Sequence, residues 1–275
     1  MSMGRGAQQG RGFPPPRSAD WQRLLEEDVD SVEVKILLGP GPEKAAAALT
    51  GRTAPRWRLR RLHLLDTPQL TIARSGVEMR LRRRARGRHD LTVRARRRHG
   101  RGSRRPHPPG ARVEFDVLPD AVWHTVELRR DVDPALAEAV VTGQARPAEL
   151  LTPDQEEWLW AAAGVFPTTS LVAHGPLAVR RVGLPDGRFR AGRAHLEHCR
   201  YPSGRELVEF STRCRPHAAG EVAGEVTRFL AARGVAPSGL HLTKTAVWLD
   251  ELARDVRSAG DRGIDDAELP RPRGS

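Results

Sequence analysis

The sequence predicts an α+β protein in which antiparallel strands close into a β-barrel with helices packed around it. Strand-like stretches recur along most of the chain, and the turns PDGR and PSGR join neighbouring stretches in its second half, as in antiparallel hairpins. Between the apolar residues of these strands stand mostly arginines and carboxylates. A solvated face accounts for this on one strand, but the pattern recurs on six or seven, and a sheet closed on itself would turn the charges into a lumen.

The first strand is the stretch SVEVKILL, which alternates with a period of two. Val32, Val34 and Ile36 share one face, whereas Glu33 and Lys35 share the other. The pattern predicts a strand with one apolar and one charged face. The charged face suits either water or a ligand that needs both an acid and a base.

The remaining elements follow from the same periodicities and from turn and cap residues. The further predicted strands are WRLRRLHLLDT, VEMRLRRR, DLTVRARRR, ARVEFDVLP, HTVELRR, LAVRRVGL, RAHLEHCRY and ELVEFSTRC. The predicted helices are PEKAAAALTG, DPALAEAVVTG, TPDQEEWLWAAAG, AGEVAGEVTRFLAARG and LTKTAVWLDELARDV. Thr152 is placed to cap the third of these helices, and Gly164 ends it.

Composition divides the chain into a folded part and two tails. Residues 1–19 are rich in Gly, Pro, Arg and Gln, and predict a disordered basic tail. Residues 20–257 form one predicted domain, and residues 258–275 form a second disordered tail.

The charge balance points to a polyanionic partner. The 275 residues carry a formal net charge of +12, which favours nucleic acid, an acidic surface or phosphate-rich small molecules. Nearly all the basic residues are arginine, and the three lysines are Lys35, Lys44 and Lys244. Lysine is a compact, movable charge whereas arginine is a planar fork, so the few lysines are informative.

The two cysteines, Cys199 and Cys214, suggest neither a disulfide framework nor a zinc site. The N-terminal segment has no apolar core of a secretory signal, and no run approaches a membrane span. We therefore expect a cytoplasmic protein with reduced thiols and no membrane partner.

The charged strand faces suit a metal-bound oligophosphate. Arginine forks pair with phosphate oxygens, and carboxylates hold Mg²⁺ or Mn²⁺ through hard oxygen ligands. The residues on these faces are Glu78, Arg80, Arg82 and Arg84; Thr92, Arg94 and Arg96; Glu114 and Asp116; Thr125, Glu127 and Arg129; Arg193, His195, Glu197 and Cys199; and Leu207, Glu209, Ser211 and Arg213.

Several motifs, taken in order, resemble those of the CYTH domain, also called the triphosphate tunnel metalloenzyme family. They are the Glu-x-Lys of SVEVK, LLDTPQL, the Arg-x-Arg of VEMRLRRR, LTVRA, an arginine pair after the interior helices, the YPSGR turn with LVEFS, and the late lysine of HLTKTAVW. The resemblance covers about Asp28 to Leu252. It implies a closed antiparallel barrel, a tunnel through it and a divalent metal. Members hydrolyse inorganic or thiamine triphosphate, process RNA 5′-triphosphates or cyclise ATP.

The resemblance also implies site residues. The expected phosphate-binding residues are Lys35, Arg80, Arg82, Arg94, Arg180 or Arg181, and Lys244. The expected ligands of Mg²⁺ or Mn²⁺ are Glu33, Glu197 and Glu209, with Glu114 and Asp116 as supporting acids. Glu33 and Glu209 are the expected catalytic residues.

The acidic half of the pattern is thinner than in the family. Ser31 stands where the family has the first glutamate, and Leu207 or Ser211 leaves one carboxylate missing beside Glu209. Three acids suffice for one metal, because Mg²⁺ is usually held by one or two carboxylates together with phosphate oxygens and waters. A two-metal arrangement needs more carboxylates.

The sequence therefore favours metal-dependent hydrolysis of a triphosphate. Inorganic triphosphate is the preferred substrate because no pocket for a base is recognisable. The first alternative is a non-catalytic binder of oligophosphate or nucleotide, and an adenylyl cyclase is less favoured. The second alternative is a protein that binds the RNA backbone through the basic run from Arg96 to Arg112. This run lacks aromatic residues for base stacking, which argues against sequence-specific recognition of single strands.

Overall fold

The barrel is formed by nine strands among the residues that the computed structural model describes. These are Phe13 and residues 28–39, 41–99, 107–164, 168–185, 189–240 and 243–265, with the backbone alone at 85 and 259–265. The strands are β1 Ser31–Leu38, β2 Arg58–Asp66, β3 Val77–Arg83, β4 His89–Arg98, β5 Arg112–Leu118, β6 Ala121–Val132, β7 Val172–Gly183, β8 Ala194–Arg200 and β9 Glu206–Cys214.

Helices pack outside the barrel and across one of its ends. They are α1 Pro42–Thr50, α2 Thr71–Arg74, α3 Pro134–Val141, α4 Pro153–Ala163, α5 Ala219–Ala231 and α6 Lys244–Asp265. Short 3₁₀ segments lie at Ala85–Gly87, Pro147–Leu150, Thr168–Ser170 and Pro216–Ala218. All the predicted strands and helices are present, and the short helix α2 was not predicted.

The strands pair in the order β1-β5-β6-β4-β3-β2-β7-β8-β9, and β9 returns to β1. The α+β class and the closed barrel are therefore confirmed. All neighbouring pairs are antiparallel except β1 and β5, which run parallel with Glu33 opposite Asp116. The pairing of β1 with β5 brings Glu114 and Asp116 beside Glu33.

The outer face of the barrel is apolar and carries most of the hydrophobic core. Val32, Val34 and Ile36 of β1 belong to one buried cluster with Leu49 of α1 and Val226 of α5. The period of two in β1 and the apolar stripe of α5 therefore meet at one interface.

Local hydrogen bonds explain where the middle helices begin. The Asp133 carboxylate accepts a hydrogen bond of 2.9 Å from the Leu136 amide at the start of α3. The Thr152 hydroxyl accepts one of 3.1 Å from the Gln155 amide at the start of α4, as the sequence predicts. The Gln155 side chain also donates to the Leu128 carbonyl, 3.1 Å away, which fastens α4 to β6.

A second apolar cluster fills one end of the barrel. Trp248 of α6 is 1% exposed and belongs to a cluster with Leu37, Leu64 and Cys199, whose side chains point inward. A Cβ added to Gly175 would lie 3.0 Å from the Trp248 ring, so that glycine lets the ring approach. The charged lumen therefore ends on an apolar plug.

The last helix extends further than predicted. The backbone of α6 is helical to Asp265, past residue 258 where the sequence places the start of the tail. Among the described residues, no helix combines the length and the apolar character needed to cross a membrane. Apart from Phe13, which packs on the core, the predicted N-terminal tail lies outside the described residues.

Candidate functional site

The lumen of the barrel is a charged cavity of about 310 Å³. Among the described residues, thirteen basic and five acidic side chains line it, so its wall is strongly cationic. The arginines of this wall are Arg60, Arg61, Arg80, Arg82, Arg84, Arg94, Arg96, Arg112, Arg129, Arg181 and Arg213. Such a wall is typical of a binding site for a compact polyanion.

An acidic cluster lies on the paired strands β1 and β5. Glu33, Glu114 and Asp116 each offer a carboxylate oxygen, and these oxygens lie within 4.8 Å of one another. The Lys35 ammonium bridges two of them, 2.9 Å from Glu33 and 2.7 Å from Asp116. The parallel pairing of β1 and β5 creates this cluster.

Ion pairs hold two of these carboxylates ionised. Burial alone would raise the pKa of Glu33, but Lys35 and Arg213 lower it to about 2. Burial opposes ionisation at Asp116 as well, yet Lys35 and Arg94 hold its pKa well below the usual range. Asp116 is 0% exposed, so it is a fixed negative charge inside the wall.

The third carboxylate, Glu114, has the opposite shift. Burial and the nearby Glu33 raise its pKa. The Ser31 hydroxyl donates to it at 2.9 Å and accepts a hydrogen bond of 2.9 Å from Arg112. Arg213 donates to the other oxygen of Glu114 at 3.0 Å and lies 3.6 Å from Glu33. Ser31, at the expected position of a family glutamate, thus serves as a hydrogen-bond relay.

A second charged group joins the last helix to β8 and β9. Lys244, the first residue of α6, contacts Glu197 and lies 2.9 Å from Glu209. Arg181 lies 3.4 Å from Glu197 on its other side. Burial opposes both charges, but the pairing lowers the pKa of Glu197 to about 2 and raises that of Lys244.

The arginines opposite these groups are only partly neutralised. Among the described residues, Arg80 has one acid contact, to Glu78 at 3.3 Å, and burial with the nearby Arg94 lowers its pKa. Burial also lowers the pKa of Arg96 to about 10, although Asp116 opposes this. In the described part of the chain, the buried Nε atoms of Arg94, Arg96 and Arg181 have no hydrogen-bond partner. Because these three atoms are shielded from the cavity, it is the excess of basic side chains that suits the wall to a bound anion.

A third charged group borders the open side of the lumen. Arg82 donates to Asp90 through Nε at 2.9 Å and Nη2 at 2.8 Å, while Arg84 and Arg129 also contact this acid. Asp90 is 0% exposed, so one buried carboxylate orients three arginines at the rim.

Most of the residues predicted from the sequence meet in the lumen. The predicted phosphate-binding side chains that line it are Lys35, Arg80, Arg82, Arg94, Arg181 and Lys244. The predicted acids fall into two groups. Glu33 lies with Glu114 and Asp116, whereas Glu197 and Glu209 lie on Lys244 outside that group, so their role as metal ligands stays a prediction.

Arg180 does not line the lumen. It lies on the outer face, 2.8 Å from Glu43 and 4.9 Å from the centre of the Trp57 ring, and it donates to His198. Arg181 is the member of the pair that reaches the cavity. The sequence left open which of the two arginines reaches the lumen. Because side chains alternate along β7, Arg181 points inward and Arg180 points outward.

Several lumen residues were not selected from the sequence. Arg96, Arg129 and Arg213 stand on the predicted charged faces, so strand alternation alone could have identified them. Arg60 could have been found in the same way in WRLRRLHLL, two residues before Leu62 of the apolar plug. Asp90 opens the predicted strand DLTVRARRR on the face of Thr92 and Arg94, so the same alternation could have identified it, but its three arginine contacts could not be read from the sequence.

The acidic cluster fits a divalent cation by its donor set. Three carboxylates within 4.8 Å offer the hard oxygens that Mg²⁺ and Mn²⁺ prefer. Burial and then repulsion from Glu33 raise the pKa of Glu114, and a bound cation would relieve the repulsion. Lys35 and Arg213 already contact these acids, so the charge left for a free cation is small.

The closed barrel and its inward arginines have the arrangement of the CYTH-type fold, as the sequence motifs imply. HpAC1 of Hippeastrum, described as a candidate adenylyl cyclase with a dominant triphosphatase activity, has a TM-score of 0.60 at 18% identity, over 80% of this chain and 95% of its own. A candidate adenylate cyclase of Bacillus halodurans has a TM-score of 0.54 at 14% identity, over 78% of this chain and 95% of its own. No protein-family profile and no curated protein matches the sequence. The shared feature is the fold.

Proposed function

We propose that this chain binds the triphosphate group of a small molecule in the barrel lumen and hydrolyses it with the help of Mg²⁺ or Mn²⁺. The observation that carries the proposal is the lumen wall itself, in which thirteen basic and five acidic side chains of the described residues surround one cavity. Guanidinium and ammonium groups form charge-assisted hydrogen bonds with phosphate oxygens, so an excess of them around one cavity suits a compact polyanion.

The basic residues bind and orient the phosphates. Arg80, Arg96 and Arg181 approach from three strands, so a triphosphate among them would be held in one orientation and its charge neutralised. Phosphoryl transfer depends mainly on positioning and on charge stabilisation at the equatorial oxygens. Lys35 and Lys244, each held by two carboxylates, add fixed point charges.

The acidic cluster supplies the rest of the proposed chemistry. Glu33, Glu114 and Asp116 would hold the cation, which when bound neutralises phosphate charge and polarises the reacting oxygens. The Glu33 side chain is 20% exposed and ionised, so it can accept a hydrogen bond from a water molecule and orient it. Glu209 is 3% exposed and its proposed role is to position Lys244.

Two measurements test this proposal. Calorimetry with tripolyphosphate in EDTA tests binding, and phosphate release with Mg²⁺ or Mn²⁺ tests hydrolysis. We expect tripolyphosphate to bind both in EDTA and with Mg²⁺ or Mn²⁺, and we expect phosphate release only with one of these metals. Glu33→Gln should keep binding but lose about a hundredfold in release, whereas Glu43→Gln, on the outer face, should match the native chain.

The outcomes separate the alternatives. No binding at millimolar tripolyphosphate would rule out the whole proposal. Binding without release in either metal would favour the non-catalytic alternative, for which the ion pairs of Lys35 and Arg213 with the acidic cluster are the supporting observation. Release of a cyclic nucleotide from ATP would favour a cyclase. The RNA alternative depends on the basic run from Arg96 to Arg112, of which residues 100–106 lie outside the described residues, so it stays a prediction.

A further inference from the structure

An arginine of the chain itself occupies the acidic cluster from the mouth of the barrel. Arg213 of β9 stands directly opposite Glu33 of β1. Its guanidinium lies 3.6 Å from Glu33 and donates to Glu114 at 3.0 Å. It therefore touches two of the three carboxylates that form the proposed cation site.

The cluster is neutralised before any ligand arrives. Among the described residues, five cations contact its three carboxylates within 4 Å: Lys35, Arg94, Arg96, Arg112 and Arg213. The carboxylates suit a divalent cation, but the neighbouring basic side chains repel it. A free cation brings no negative charge that would offset this repulsion. The cluster should therefore bind a free cation poorly.

Arg213 is the cation best placed to leave. Lys35 is 8% exposed and Arg94 is 7% exposed, and both are held by the fully buried Asp116. The Arg213 side chain is 42% exposed. Arg112 is exposed to a similar degree, 41%, but its described ion pair is with Glu114 alone, at 3.8 Å, whereas Arg213 contacts both Glu33 and Glu114.

Arg213 borders both the lumen and a cavity of about 590 Å³ at the mouth, where the acids Asp30 and Glu221 also lie. The same cavity holds Arg215 and Arg190, and Arg190 pairs with Glu221 at 2.6 Å, so Asp30 is the acid towards which Arg213 can turn outward.

We propose that Arg213 is an exchangeable counter-ion that excludes free divalent cations from the acidic cluster and gives way when a cation arrives bound to a triphosphate. The phosphates supply the negative charge that compensates the remaining basic residues, so cation and triphosphate bind cooperatively. This inference rests on the proposed function for its second half. The exclusion of free cations stands independently.

The exclusion of free cations is tested by titrating the protein with Mn²⁺ alone. Binding is measured as the loss of the EPR signal of the free ion. We expect Arg213→Gln to bind Mn²⁺ at least ten times more tightly than the native chain. Arg213→Lys restores the charge and should stay close to the native affinity. The matched control is Arg215→Gln, an equal charge change at the same mouth without a contact to the cluster in the described structure.

The proposal is overturned if Arg213→Gln binds Mn²⁺ no more tightly than Arg215→Gln, or if the native chain already binds Mn²⁺ as tightly as Arg213→Gln. Circular dichroism verifies the fold, and Arg213→Met replaces Arg213→Gln if that variant does not fold. These measurements use no triphosphate. A failure of tripolyphosphate to bind the native chain would contradict the proposed function and leave the Mn²⁺ result to decide the role of Arg213.

Discussion

The ammonium of Lys244 lies 2.9 Å from the carboxylate of Glu209, so the first residue of α6 is fastened to β9 inside the barrel. Removing this charge in Lys244→Met leaves Glu197 and Glu209 side by side, 7% and 3% exposed. We expect a loss of about 3 kcal/mol in the free energy of unfolding, because buried carboxylates lose their shared partner. Urea denaturation measures it, with the exposed Lys44→Met as control. Equal stability of the two variants would contradict the assignment.

The adjacent arginines of β7 provide a paired test of the lumen. Arg181→Gln removes a donor from the cavity, and we expect tripolyphosphate affinity to fall about 30-fold, equivalent to about 2 kcal/mol. Arg180→Gln changes the outer face beside Glu43 and should leave affinity unchanged. Titration calorimetry compares the two. If Arg180→Gln lost more tripolyphosphate affinity than Arg181→Gln, the assignment of Arg181 to the lumen and Arg180 to the outer face would be wrong.

The apolar plug should contribute strongly to stability. Trp248 is 1% exposed at the closed end of the barrel, so Trp248→Ala should cost about 3–5 kcal/mol through lost contacts and a cavity. Trp160 is 43% exposed, and Trp160→Ala should cost less than about 1 kcal/mol. Denaturation midpoints distinguish them. Similar midpoints would mean that the plug is not part of the cooperative core.

The two thiols should be inert in the folded protein. Burial raises the pKa of both Cys199 and Cys214 to about 12. At pH 8 only about one thiol in ten thousand is then ionised, and the thiolate is the reactive form. We expect no reaction with Ellman's reagent at pH 8 without denaturant and two equivalents after unfolding. Rapid labelling of the folded chain would contradict the burial of these side chains.

Ser31 allows a second test of the acidic cluster, in which a negative charge is added instead of the positive charge of Arg213 being removed. Ser31→Glu adds a carboxylate beside Glu114, where the native hydroxyl lies 2.9 Å away. Without metal we expect a loss of about 1–3 kcal/mol, because like charges meet in a buried site. Millimolar Mn²⁺ should return part of that stability. Ser31→Gln has the same size and no charge, and its melting temperature should not respond to Mn²⁺.

The sequence predicted the fold better than the grouping of the acids. The alternation in SVEVKILL gave β1 with its bounds, and the same rule gave the charged lumen faces. Glu114 and Asp116 could be named only as supporting acids, because sequence order does not reveal that β5 pairs in parallel with β1. The sequence predicts Glu197 and Glu209 as metal ligands together with Glu33; the closed barrel places them on Lys244, outside the group of Glu33, Glu114 and Asp116, and their role as ligands stays a prediction. Pairings between distant strands depend on the whole barrel and leave no local pattern.

The position of β1 also governs the order in which the chain can fold. Its two neighbours are β5, which begins at Arg112, and β9, which begins at Glu206. During synthesis at about 5–20 residues per second, β1 would wait on the order of ten to thirty seconds for its last partner. Contacts of such high sequence separation slow folding. The opening strand, with its apolar outer face, is therefore the segment that most needs protection from aggregation while the ribosome finishes the chain.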